Sequence, residues 1–299
     1  MIVFLVPELE DLLADSSIPA LLRRFFARAS SRQLDANGYL ADLVTGRPIA
    51  SAAIARFRDR PDDCSGAWMF ADPVALRPDL SAVWIQSGCF DPLDQPAVAE
   101  LKDLFEQVNL AFELTTPERA YLRLEQIPDA SFSPSWAVAG QSMDYVLPKG
   151  RDAKQWIRLL NDSQIILHQH AAGQASSETG LTQTPSGLWF WGAGKLPENR
   201  PSGRISHLIG DDEELLALAN YLELSHSPDE SETADSSLRQ WFPATSLPAD
   251  EALIRLTELI KPIWRRLQLG AIDALEIASR KKVFKVTSRE SRQFWRRRP

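Results

Sequence analysis

The chain has 299 residues, 44% hydrophobic and 24% charged, and a net charge of −7. That balance suits a globular protein of one large or two small domains with ample apolar material for a core. Two cysteines, Cys64 and Cys89, and the lack of a CxxC pair exclude a disulfide framework and fit reduced thiols in a cytoplasmic setting.

Met1-Ile-Val-Phe-Leu-Val6 is apolar, but it is short and has no basic lead, so it reads as a first strand rather than a signal peptide. No apolar run approaches the roughly 20 residues of a membrane span. Charge is unevenly spread. Arg280 to Pro299 holds nine Lys or Arg against one acid, Glu290, so the body before it is strongly acidic.

In chain order, Ile2 to Val6 is a buried strand closed by Pro7, and Ile18-Pro19 opens a helix running to Arg28. Its stripe is Leu21, Leu22, Phe25 and Phe26. Arg23, Arg24 and Arg28 fall outside that stripe as a solvated face or, alternatively, a phosphate-binding one. Two short helices are predicted over 35–43 and 48–58, broken at Gly46-Arg-Pro48. Ala67 to Leu76 and Ala82 to Ile85 read as strands, Val98 to Phe112 as one amphipathic helix, and Arg119 to Leu124 as a strand.

Residues 128–140 are loop-rich, with a soft internal boundary near 128–151. Asp152 is expected to cap a helix from Ala153 that buries Trp156, Leu160, Leu167 and Ala171. After a polar stretch, Leu188 to Trp191 is a buried strand ending at Gly192-Ala-Gly194. A helix with an acidic head spans 211–224. Residues 225–237, poor in apolar side chains, are expected to form a mobile surface loop. A helix follows over 248–270, kinked at Pro262, then a hairpin across Ser279-Arg-Lys-Lys282 and a short basic helix, Ser288 to Arg298. The predicted fold is α/β, a single domain over 1–299. It has a mixed sheet flanked by helices, a C-terminal β-hairpin and a short basic helix.

Candidate chemistry is sparse. His168 and His170, two apart on a helix, point about 200° from one another and share a face only where the helix has ended. No Cys or third His stands nearby at ligand spacing, so no metal is expected there. Gly192-Ala-Gly194 with Lys195 follows a strand as a phosphate turn would, but a third glycine is missing and Pro197 follows at once. A tight strand exit is the plainer reading. Asp72 before Pro73 reads as a turn residue or as a group that orients a ligand. Arg119 and Arg123 flank Tyr121 and could grip an anion or simply form a solvent face. Trp189 and Trp191 share one face of their strand, as core or as pocket wall. The tail 289–299 mixes cations and aromatics and could engage a protein partner. The acidic whole argues against nucleic acid.

Several stretches together resemble the RpfE-type regulatory proteins of proteobacteria, often named as cofactor-independent phosphoglycerate mutases. They are Leu160-Asn-Asp-Ser-Gln-Ile-Ile-Leu-His-Gln-His170, Ser186-Gly-Leu-Trp-Phe-Trp-Gly-Ala-Gly194, Phe70-Ala-Asp-Pro-Val74, Glu118-Arg-Ala-Tyr-Leu-Arg-Leu124 and Gln293-Phe-Trp-Arg-Arg-Arg-Pro299. The chain departs from that family's pattern at Ala75, where the family has His, at Ala171-Ala-Gly173, where it has Pro-Val-Asn, and at Pro185, where it has Asn.

Cofactor-independent mutases themselves resemble alkaline phosphatases, with two divalent metals held by several Asp and His beside a serine nucleophile. This sequence has four histidines, His168, His170, His207 and His226, and follows its first strand with Pro7-Glu-Leu-Glu10. The resemblance therefore implies a non-catalytic regulatory or interaction protein with no cofactor. The alternative is a phosphoryl-transfer enzyme, a mutase or phosphatase. The ligand-binding candidates are Asp72, Arg119, Arg123, His168, His170, Trp189, Trp191, Gly192, Gly194 and Lys195.

Overall fold

A computed structural model describes residues 1–14, 17–79, 82–86, 88, 90–171, 183–228, 236–243 and 247–293. The elements run β1 (Ile2–Leu5), α1 (Leu9–Ala14), α2 (Ala20–Arg28), β2 (Ser30–Gln33), α3 (Tyr39–Thr45), α4 (Ser51–Asp59), β3 (Ala67–Pro78) and β4 (Val83–Gln86). Next come α5 (Gln95–Glu106), β5 (Ala111–Thr116), β6 (Arg119–Leu124), β7 (Ala130–Ser131), α6 (Ser135–Val138), α7 (Met143–Val146), β8 (Lys149–Gly150) and α8 (Ala153–Ala171). The last part holds β9 (Gly187–Lys195), β10 (His207–Ile209), α9 (Glu213–Leu222), β11 (Ser225–Ser227), β12 (Ser237–Gln240), α10 (Ala249–Leu269), β13 (Ala274–Ala278), β14 (Lys282–Thr287) and α11 (Ser288–Ser291). The architecture is mixed α/β.

The chain sorts into two compact units, one of residues 1–48 with 199–299 and one of residues 49–198. The divisions fall at 48/49 and 198/199, and the stretch near 128–151 lies inside the second unit. There β7 pairs with β8, and Asp129 N–H donates to Asp152 Oδ2, so this loop-rich segment closes on itself beside α8. The Asp152 carboxylate is thus spent on Asp129 and not on capping. Its main-chain carbonyl accepts from the first turn of α8.

In the first unit seven strands form one mixed sheet, in the order β11-β10-β12-β1-β13-β14-β2. β1 is Ile-Val-Phe-Leu, buried throughout, as a strand with parallel neighbours on both sides requires. Ile2 and Phe4 face a core shared with Leu22 and Phe25 of α2 and with Leu253, Leu256, Ile260 and Trp264 of α10. Those α10 residues recur at helical spacing, and the helix stops at Gly270, whose φ of +79° is the left-handed conformation glycine tolerates. Pro262 is accommodated within this helix. Asp212 caps α9, its Oδ1 accepting from the N–H groups of Glu214 and Leu215.

The opposite face of the sheet carries a charged centre. Glu276 of β13 lies beside Val3 and is 2% exposed. Arg204 and Lys285 approach one of its oxygens at 3.7 and 3.6 Å. Arg204 also donates to the carbonyls of Asp42 and Leu43 at the end of α3, tying that helix to the sheet.

In the second unit β3 is the hub. It pairs antiparallel with β4 and β6 on one side and β9 on the other, and β6 pairs on with β5. Phe190 of β9 packs against Phe105 of α5 and Trp156 of α8. Its neighbours Trp189 and Trp191 turn to the other face, towards α4.

Three further expectations change. The helix over Val98 to Phe112 is a shorter helix and then a strand. Asn109, at φ +58°, turns the chain, and Phe112 opens onto β5. Phe105 and Phe112 still stack at 5.4 Å, so the apolar spacing that imitates a helix is satisfied through a turn instead. The acidic stretch 225–237 begins as edge strand β11 and ends at the first residue of β12. Edge pairing uses main-chain groups and needs no apolar side chains. Residues 229–235 between them lie outside the described set. The basic C-terminal helix is one turn, Ser288–Ser291, opened by a Thr287–Glu290 capping box, and 294–299 lie outside the described residues. Among the described residues no helix is long and apolar enough to cross a membrane.

The Glu276 centre yields a test. Replacing Arg204 with Met leaves a buried carboxylate less compensated and is expected to cost about 1–3 kcal/mol. Adding Glu276→Met should recover part of that loss in a denaturant double-mutant cycle. Strict additivity would show that the two residues are uncoupled.

Candidate functional site

The second unit gathers most of the sequence-derived candidates on the α4-facing side of its sheet. Trp191 stacks on Phe70 at 4.5 Å, Phe70 lies 5.4 Å from Tyr121, and Tyr121 meets Trp68 edge-on at 6.3 Å. These four rings form a ladder across β9, β3 and β6. Asp72, two residues beyond Phe70 on the same face, accepts a hydrogen bond from Trp191 Nε1 at 2.7 Å. Trp189 points the same way and donates to the Ser133 carbonyl at 2.8 Å.

Polar groups close over this ladder. The Tyr121 hydroxyl donates to Asp59 Oδ2 at 2.6 Å, and Arg119 lies over Phe70 and 3.8 Å from the same oxygen. Burial, then the hydrogen bond to Asp59, pushes the Tyr121 phenol far above its ordinary range. A phenol so held keeps its proton and is a poor acid.

At the Trp68 end sits Arg56 of α4, 1% exposed, with its guanidinium 4.1 Å from the Trp68 ring centre. It is held at 2.9 Å by both Asp63 and Glu113. Arg123 lies over the same Trp68 ring and 3.7 Å from Asp63.

The glycines serve packing. The Gly-x-Gly does not end the strand, since β9 continues to Lys195, which pairs with Ala67 at the exposed end. A register shift between Trp68 and Phe70 places an extra residue in β9 where Gly192, at φ +69°, forms a bulge. A Cβ at Gly192 would come within 3.1 Å of Phe70 and 3.3 Å of the Ala52 nitrogen. One at Gly194 would come within 2.5 Å of the Ala50 Cβ. Both glycines let α4 approach the sheet closely, and no turn opens at them because β9 goes on pairing with β3 as far as Lys195.

His168 and His170 lie elsewhere. α8 packs on the opposite face of β9, and His168 is exposed. His170 stands between Asp94 and Glu100, whose carboxylates address its opposite ring nitrogens at 3.5 and 3.3 Å and so share no common point. His226 donates to the Gly210 carbonyl. Among the described residues no three His, Cys, Asp or Glu side chains are placed to hold a metal ion. This donor set does not fit a pair of divalent cations.

Sequence reasoning missed Arg56, Asp59 and Asp63. A signal existed for Arg56. It lies four residues after Ala52, on the buried side of α4, where a cation needs partners.

No family model matches the sequence. A 64-residue segment, 21% of the chain, is 39% identical to a probable 2,3-bisphosphoglycerate-independent phosphoglycerate mutase of Geobacter sulfurreducens and spans 16% of that protein. Among solved structures, a cofactor-independent phosphoglycerate mutase from Thermoplasma acidophilum superposes with a TM-score of 0.36 at 14% identity, over 96% of this chain and 89% of that one. The PH0037 protein from Pyrococcus horikoshii gives 0.41 at 11%, over 96% and 87%. Superpositions of that quality do not define a shared fold. The chain is thus an α/β protein with weak, local sequence similarity to cofactor-independent phosphoglycerate mutases.

The ladder gives one prediction, and the buried phenols of the two units give another. Trp191→Phe keeps the stack but removes the donor to Asp72, with an expected loss of about 1.5–3 kcal/mol in chemical denaturation. Asp72→Asn in the same background should restore part of it, because a neutral amide needs less compensation.

The second concerns alkaline pH. Tyr39 is also raised well above the ordinary range, by burial and then by Glu214. Of four tyrosines, Tyr39 and Tyr121 should therefore stay protonated at about pH 11 in the native state. Their contribution to stability is complete below about pH 10 and is lost as the pH rises above it. Phenolate absorbance should jump by at least two groups when the protein is unfolded at that pH. A native spectrum already showing four phenolates would contradict the assignment.

Proposed function

We propose that the chain is a non-catalytic regulatory or interaction protein of the RpfE type, one that retains a segment similar to phosphoglycerate mutases without a metal centre. One observation carries this reading. The residues that make the resemblance are spent on structure: Asp72 on Trp191, Tyr121 on Asp59, Gly192 and Gly194 on the approach of α4. A phosphoryl-transfer site needs carboxylates and cations whose valences are open to substrate. Here Arg119 sits against Asp59, Arg56 against Asp63 and Glu113, and the phenol between them holds its proton.

A second reading, a mutase or phosphatase, is favoured by the 39% identity over 64 residues. The two separate on turnover. The purified chain with added Mn²⁺ or Mg²⁺ is expected to show no mutase or phosphatase activity above the uncatalysed rate. Robust turnover that Asp72→Asn abolishes would establish the enzyme reading and overturn the first.

A further inference from the structure

We draw no further inference here: the strongest candidate, the groove between β4, α7 and α8 lined by Val83, Met143, Asp144, Leu147 and Ile157, is a largely apolar face and nothing in the structure shows what covers it.

Discussion

The second unit depends on one buried guanidinium. Arg56 lies between α4 and the sheet with its face against Trp68, and it is the cation on which Asp63 and Glu113 converge. A charge that deep is tolerable only when partners surround it. Its pairing therefore fixes where α4 ends, where the turn after it folds back and how β5 is set. The close approach that makes this possible rests on Gly194 and Gly192, whose missing side chains admit Ala50 and Ala52. The aromatic ladder, the Asp72 acceptor and the Tyr121–Asp59 bond are arranged along the seam so formed.

The first unit solves a related problem differently. Its core on the α10 side is apolar and conventional, built on the buried strand β1. On the other side Glu276 is buried with its charge facing Arg204 and Lys285 at distances beyond a hydrogen bond. Pairing there is electrostatic and loose, and the link to α3 runs through main-chain carbonyls. Charge compensation is thus a recurrent device in both units.

The candidate site shows how a motif can be legible and its purpose hidden. Asp72, Arg119, Trp189 and Trp191 do share one face of one sheet, as strand periodicity implies, whereas Gly192 meets α4 only through its bulge. Alternation along β9 separates Trp189 and Trp191 from Phe190, and the same alternation places His168 and His170, on the helix behind Phe190, out of reach. Periodicity fixes which side chains share a face. It does not fix what each hydrogen-bonds to, because Asp59, Ser133 and Asp63 come from distant parts of the sequence.

By itself the sequence determined the elements whose signals are local. These are the buried first strand, the acidic-headed helix over 211–224, the long amphipathic helix ending at Gly270, the closing hairpin and the α/β class. Such features follow from side-chain spacing and cap chemistry within a few residues. Tertiary structure alone decided the break at Asn109, the edge strand at Ser225, the run of β9 through its glycines and the boundaries at 48/49 and 198/199. Each of those depends on what a distant segment offers: a stacking partner for Phe112, an open edge on β10, a helix pressed against Gly194, or a chain that returns to its first sheet after 150 residues.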